Sequence, residues 1–145
     1  MNRHAICFGD WSEGAKQGIP EAMVLLADCY EEGILVGQDY AEALKWYRQA
    51  ADAGNAAAMR NIGWLYQEGK GVRQDYAEAL KWYRQAADAG DTDAMVKIGD
   101  MYENGYGVEE DPDEARCWYQ RAAEQGNQDA KEKLESSSDY GQILA

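Results

Sequence analysis

A segment of sixteen residues occurs twice in this chain without a single difference. The sequence DYAEALKWYRQAADAG covers Asp39–Gly54 and Asp75–Gly90, and a degraded copy, DPDEARCWYQRAAEQG, covers Asp111–Gly126. The copies begin at positions 39, 75 and 111, which gives a period of 36 residues. A period in this range is typical of a solenoid, in which each repeat buries its apolar face only against neighbouring repeats.

The repeated segment has the signals of one amphipathic helix. Asp39 precedes Glu42 at the spacing of a capping box, and Gly54 stands where a left-handed residue ends a helix. Between them, apolar residues recur with helical spacing. Asn55 follows and suits the N-cap of a second helix, so each repeat is predicted to contain two helices. No run of alternating apolar and polar residues predicts a strand, and the pattern indicates an all-α stack of antiparallel helix pairs.

The segments between the copies show a family resemblance. AMRNIGWLYQEGKGV (Ala58–Val72) and AMVKIGDMYENGYGV (Ala94–Val108), each followed by a copy of the repeated helix, resemble the pattern of the Sel1-like repeat family. The resemblance implies a right-handed α/α solenoid similar to the superhelix of tetratricopeptide repeats. It divides the chain into a degenerate capping helix at 1–18, repeats at 19–54, 55–90 and 91–126, and a capping half-repeat with a frayed tail at 127–145.

The first repeat departs from this pattern in the loop between its helices. Leu35 stands where the other two repeats have Gly71 and Gly107. Glycine adopts left-handed conformations that other residues avoid. We therefore expect the loop of the first repeat to take a different shape.

The differences between repeats concentrate on one face of the first helix of each pair. Differences between residues 55–74 and 91–110 fall on one arc of that helix, opposite its apolar stripe. By the family resemblance this helix lines the concave surface, so we interpret the varied arc as a partner-binding face. Free variation of exposed residues and recent duplication of repeats are the alternative explanations. The candidate partner-binding residues are Val24, Asp28, Glu31, Arg60, Trp64, Gln67, Asp93, Val96, Asp100 and Glu103.

The charge of this face favours a basic protein or peptide as the partner. Most of its charged residues are acidic, and the whole chain has a net charge of −13. Nucleic acids and anionic membranes select basic patches, so neither is expected as a partner. No apolar stretch is long enough for membrane insertion. Trp64 and Arg60 are of the residue types that most often dominate interfaces, although Trp64 is equally suited to packing against a neighbouring helix.

No set of residues predicts catalysis, a metal site or a cofactor. Catalysis requires a nucleophile, a base or a metal placed together, and the only histidine, His4, lies in the weakest part of the repeat pattern. Cys7, Cys29 and Cys117 do not have the spacing of zinc ligands. We therefore predict a non-enzymatic adaptor or scaffold that holds a protein or peptide.

Two other functions remain as alternatives. Some cysteine-rich members of the Sel1-like group are linked to β-lactam binding or hydrolysis, although this chain lacks paired cysteines in each repeat. An open-ended stack can also extend by pairing its ends, although a monomer is favoured. A disulfide between Cys7 and Cys29 across the first helix pair stays open. The N-terminal residues have no apolar segment of a secretory signal, which favours a cytoplasmic location.

Overall fold

A computed structural model describes the backbone of residues 11–144 and the side chains of residues 11–136. Every regular element within that range is a helix, and no strand occurs there, so the prediction of an all-α fold is confirmed. His4 and Cys7 lie outside the described residues. The helices are residues 11–16 (α1), Pro20–Glu32 (α2), Tyr40–Asp52 (α3), Ala56–Glu68 (α4), Tyr76–Asp88 (α5), Thr92–Asn104 (α6), Pro112–Glu124 (α7) and Gln128–Leu144 (α8).

The helices pack in sequence order as a stack of pairs. α2 packs against α3, α4 against α5, and α6 against α7, which gives one pair for each repeat of the sequence. Between the pairs, α3 contacts α4, α5 contacts α6, and α7 contacts α8. The second helix of one repeat therefore joins the first helix of the next. This arrangement confirms the predicted α/α solenoid.

The helix boundaries follow from capping residues in the sequence. Asp39 accepts the backbone N–H of Glu42 at 3.1 Å and starts α3, and Asp75 makes the equivalent bond at the start of α5. Asn55 starts α4 by accepting a backbone N–H three residues further on, at 2.9 Å. At its other end α4 stops at Gly69, which has a left-handed φ of 66°. These caps satisfy backbone groups that the helices themselves leave unpaired.

The repeated helix of each unit supplies a buried tyrosine to the core. Tyr47 and Tyr83 are 0% exposed, and Tyr119 in the degraded copy is 5% exposed. Ala43 and Ala79 beside them are also fully buried, and their small side chains let the helices approach closely. Aromatic rings of this size contribute much of the apolar area that a core buries. The prediction that this helix forms the scaffold agrees with its burial.

The expectation that the first loop takes a different shape is wrong. Leu35 has the same left-handed backbone conformation as the glycine that stands at its position in the second repeat, since φ is 70° at Leu35 and 73° at Gly71. Leu35 is 43% exposed, so its side chain points away from the packed interior. The segment predicted as a tail continues α8 as far as Leu144, and no proline interrupts the helix there.

Candidate functional site

Two adjoining depressions lie across the first helices of the repeats. Each has a volume of about 600 Å³, and both are lined by Arg60 of α4 and Lys97 of α6. One depression extends to Glu32 of α2, and the other extends to Glu132 of α8. Together they form one groove. Its charged residues are the carboxylates Glu31, Glu32, Asp93, Asp100, Asp129 and Glu132 and the cations Arg60, Lys97 and Lys133.

The groove brings together some of the candidate partner-binding residues, but not all of them. Val96 touches the groove, although it is only 7% exposed and belongs to the core around α6 and α7. A valine at the border of an apolar stripe gains free energy from burial, which explains its inward position. The candidates that line the groove are Glu31, Arg60, Trp64, Asp93, Val96 and Asp100, and those that do not are Val24, Asp28, Gln67 and Glu103.

Buried tyrosines of the second helices form hydrogen bonds with several candidate residues. Tyr119 Oη lies 2.6 Å from Oδ1 of Asp100 and 2.7 Å from Oε2 of Glu103. In the preceding repeat, Tyr83 donates to Oε1 of Gln67 at 3.0 Å. Sequence reasoning missed these bonds, although one signal was available. A polar residue stands 16 residues before the tyrosine in each repeat.

The equivalent cluster of the first repeat contains two carboxyl groups with raised pKa values. Tyr47 donates to Asp28, and Oε2 of Glu31 lies 3.4 Å from the same hydroxyl. Burial raises the pKa of Asp28, and the charge of Glu32 adds to this rise, while Tyr47 and Arg60 oppose it. Burial and then the charge of Asp28 raise the pKa of Glu31. Burial and the bond to Asp28 also raise the pKa of the Tyr47 hydroxyl, which therefore stays protonated and donates.

The raised pKa of Asp28 predicts a pH dependence of stability. An acid whose pKa is higher in the folded than in the unfolded state binds protons more strongly when folded. Its contribution to stability is therefore present at low pH and is lost as pH rises through the folded-state pKa. Asp28→Asn keeps an acceptor for Tyr47 but cannot titrate. Relative to wild type, its free energy of unfolding should increase from about pH 4, near the usual pKa of aspartate, to about pH 7.

Urea unfolding followed by circular dichroism at the two pH values measures this trend. Glu124→Gln removes an exposed carboxylate at the end of α7 and supplies the baseline for charge removal at the surface. A relative stability of Asp28→Asn that falls as pH rises would contradict the shift.

Ion pairs connect the first helices of successive repeats along the groove. Nη1 of Arg60 on α4 lies 3.0 Å from Oδ2 of Asp93 on α6. Nζ of Lys133 on α8 lies 2.9 Å from Oδ1 of Asp100 on α6, and this contact raises the pKa of Lys133. Among the described side chains, no ion pair involves Lys97. The sequence comparison placed position 97 on the varied arc, but neither Lys97 nor Lys133 was among the candidate partner-binding residues.

The groove is lined mainly by charged side chains. In residues 11–136, no group of histidine, cysteine and acidic side chains is placed to hold a metal ion. Cys29 is buried, Cys117 is exposed, and both are free thiols. Across the part of the chain that the structure covers, none of the helices has the length and apolar character needed to cross a membrane. The aromatic rings of Tyr40, Trp64 and Tyr83 stand beside the charged groups of the groove.

A stack of helix pairs that pack in sequence order is the architecture of a solenoid repeat protein, and the groove runs along this stack. The Sel1 repeat matches residues 20–55, 56–91 and 92–127. The three matches cover most of the sequence, and the chain belongs to the Sel1 repeat family. Each match begins one residue later than the corresponding repeat defined from the sequence. Sel1 repeat proteins are generally scaffolds for protein interactions, and their solenoid fold is typically non-enzymatic.

Solved structures of bacterial proteins are similar to this chain. A protective antigen present in uropathogenic Escherichia coli strains, which displays an SLR fold, is 41% identical with a TM-score of 0.83, over 90% of this chain and 28% of that chain. A Sel1 repeat protein from Oxalobacter formigenes is 41% identical with a TM-score of 0.75, over 83% of this chain and 49% of that chain. This chain therefore spans less than half the length of either protein.

A cysteine-rich protein also has this fold. Helicobacter pylori cysteine rich protein B is 21% identical with a TM-score of 0.67, over 85% of this chain and 93% of that chain. At this identity the likeness concerns the fold alone. No curated protein matches the sequence.

Proposed function

We propose that this chain is a scaffold that binds an extended basic segment of a partner protein in the groove. The observation that carries the proposal is the surplus of carboxylates along the two adjoining depressions that form the groove. Six acidic side chains line it against three basic ones. An acidic concave surface attracts cationic side chains and guides their approach.

Three of the carboxylates are available to a partner. Glu32, Asp129 and Glu132 line the groove and form no hydrogen bond or ion pair with any other residue that the structure describes. Asp93 and Asp100, in contrast, are already paired with cations of the groove. The available acids lie towards the two ends, on α2 and α8. The groove therefore offers acidic binding positions on both sides of its centre.

Trp64 supplies a large apolar surface near the centre of the groove. Its side chain is partly buried, packs against the core that contains Tyr47, and also lines the groove. A partly exposed aromatic ring beside charged groups suits the aliphatic stem and the cationic end of a lysine or arginine. This placement supports a role for Trp64 as the apolar anchor of the bound segment.

A pair of peptides tests the proposal. Blocked peptides of about nine residues, roughly 30 Å long when extended, carry lysines near both ends or, in the control, glutamines at the same positions. We expect the lysine peptide to bind more tightly, and its affinity to weaken between about 50 and about 300 mM salt because the charges are screened. Isothermal titration calorimetry measures both affinities. Equal binding of the glutamine peptide, or binding that is insensitive to salt, would contradict an acidic recognition surface.

Glu132→Lys tests whether binding depends on the acidic residues of the groove rather than on the acidic surface in general. We expect this charge reversal to weaken binding of the lysine peptide about fivefold at low salt, mainly through a slower association rate. Glu124→Lys makes the same charge change at the exposed end of α7 and should weaken binding much less. Asp100 and Glu103 suit this test less well. Both form hydrogen bonds with Tyr119, so their reversal would also change stability.

A further inference from the structure

Lys97 and Lys133 occupy equivalent positions in successive repeats, 36 residues apart in the sequence. Lys133 contacts Asp100. The residue that corresponds to Asp100 one repeat earlier is Trp64, which lines the same depression as Lys97. The two lysines therefore meet different side chains at the equivalent position of the preceding repeat.

The site of Lys133 is complete within the chain. Its Nζ lies 2.9 Å from Oδ1 of Asp100, and Tyr119 Oη lies 2.6 Å from the same oxygen. The ammonium group also lies over the Tyr119 ring, 5.5 Å from its centroid. The carboxylate of Asp100 thus pairs with the Lys133 ammonium and also accepts a hydrogen bond from the Tyr119 hydroxyl.

The site of Lys97 lacks that carboxylate. Trp64 stands in place of the aspartate, and Gln67 stands in place of the glutamate at position 103. Tyr83 therefore donates to the amide oxygen of Gln67 rather than to a carboxylate. Within residues 11–136, no acidic side chain forms an ion pair with Lys97, although this lysine is partly buried in the groove. Lys97 therefore lacks a counterpart of the carboxylate that Asp100 provides to Lys133.

We infer that a carboxylate of the bound segment pairs with Lys97 and takes the place that Asp100 has beside Lys133. The inference rests on the proposed function and adds an acidic side chain to the basic segment that the groove binds. Arg60 also lies at this point, but it already pairs with Asp93 at 3.0 Å. Among the described cations of the groove, Lys97 is the one whose charge is left for a ligand.

The position of Lys97 indicates an interior residue of the segment rather than a chain end. Lys97 lines both depressions, and the groove continues from it towards α2 and towards α8. A terminal carboxylate at this point would leave one depression empty, whereas an interior acidic residue lets the segment occupy both. With Glu32 on one side and Glu132 on the other, the groove fits an acidic residue placed between basic residues.

Two peptides that differ in one side chain test the inference. Both are blocked, have about nine residues and carry lysines near both ends, and the central residue is glutamate in one and glutamine in the other. We expect the glutamate peptide to bind about fivefold more tightly, in the range of a partly exposed ion pair. Lys97→Met keeps most of the aliphatic stem and removes the charge, and it should make the two affinities equal. Lys97→Gln gives the same readout should the methionine variant fail to fold.

A second pair of variants distinguishes the effect of neutralising Lys97 within the chain from the effect of losing the Trp64 ring. Trp64→Asp restores the carboxylate that Asp100 provides in the next repeat, so Lys97 should pair within the chain and the preference for glutamate should disappear. Trp64→Asn has nearly the same shape as the aspartate variant but no charge. Both variants lose the indole and should bind more weakly, yet Trp64→Asn should retain the preference for glutamate.

Each result of these titrations decides between the two proposals. Equal binding of both peptides to the wild type would overturn the inference and leave the basic-segment function standing. Binding of neither peptide would overturn the proposed function, and the inference with it. A preference for glutamate that survives in Lys97→Met, or in Trp64→Asp, would show that the carboxylate binds elsewhere. Circular dichroism of every variant checks that it is folded.

Discussion

Gly71→Ala is expected to destabilise the protein by about 2–5 kcal/mol, because two effects add at this residue. Its φ of 73° is left-handed, where a Cβ atom costs about 1–2 kcal/mol. That Cβ would also stand 2.5 Å from Cβ and 3.1 Å from the carbonyl carbon of Tyr40. No rotamer change moves these atoms, so overpacking adds about 1–3 kcal/mol. Urea unfolding followed by circular dichroism measures the loss.

Two further variants separate the backbone effect from the contact. Gly90 has a φ of 95°, but nothing lies within 4 Å of an added Cβ, so Gly90→Ala should cost only about 1–2 kcal/mol. Leu35→Gly relieves a left-handed leucine at the equivalent position of the first repeat and should stabilise by up to about 1 kcal/mol. Equal losses in Gly71→Ala and Gly90→Ala would show that the contact with Tyr40 is unimportant.

The close contact at Gly71 holds neighbouring repeats together. The loop that contains Gly71 lies against Tyr40, at the start of the second helix of the preceding repeat. Gly107 repeats the arrangement one unit later, where an added Cβ would stand 2.7 Å from Cβ of Tyr76. Loss of either contact should therefore loosen the junction between repeats as well as a single loop.

The fold was predictable from the sequence because its signals are local. The 36-residue period, the caps at Asp39 and Asn55 and the apolar stripe each involve one helix or its ends, and all of them agree with the structure. The shape of the first loop was not predictable in this way. Leu35 keeps the left-handed conformation, because the rest of the repeat fixes the path of the loop against the preference of its own residue.

The candidate site was predicted only in part, because the angular position of a residue describes its own helix and not the neighbours. Val96 and Arg60 are equivalent by the period and both line the groove, yet Val96 is packed largely into the core while Arg60 forms an ion pair with Asp93. The hydrogen bonds of Asp100 depend on how α6 and α7 cross. The difference between Lys97 and Lys133 depends on which residue each meets in the preceding repeat. Which side chains a residue contacts on neighbouring helices depends on how the helices pack, and the periodicity of one helix does not contain it.

The tyrosines connect the constant helix of each repeat to the varied one. Identical copies of the second helix place Tyr47 and Tyr83 at the same depth, and each hydroxyl bonds a side chain of the preceding helix. That side chain is an acid in the first and third repeats and an amide in the second. The polar character of the groove can therefore change between repeats while the scaffold that supports it stays the same.

Gly99→Ala is expected to destabilise the protein by about 2 kcal/mol, although alanine is favoured over glycine in a helix by about 1 kcal/mol. Gly99 is buried within α6, and an added Cβ would stand 2.5 Å from Cε1 and 2.8 Å from Cδ1 of Tyr119. The ring is only 5% exposed, and its hydroxyl is held by Asp100 and Glu103. It therefore cannot turn aside without breaking those bonds, and the overpacking outweighs the gain in helix propensity.

Urea unfolding of Gly99→Ala and of Gly37→Ala tests whether the added methyl group destabilises the protein at Gly99, where helix propensity alone would stabilise it. Nothing lies within 4 Å of a Cβ added at Gly37, so that variant should be unchanged or slightly stabilised, by up to about 1 kcal/mol. The first repeat has Ala27 at the position of Gly99, and there the second acid, Glu31, lies 3.4 Å from the tyrosine hydroxyl instead of 2.7 Å. We expect Gly99→Ala to lengthen the contact of Tyr119 with Glu103 in the same way. A stabilised Gly99→Ala would show that α6 and α7 can separate at little cost, and that the glycine is not required for Tyr119 to bond Asp100 and Glu103.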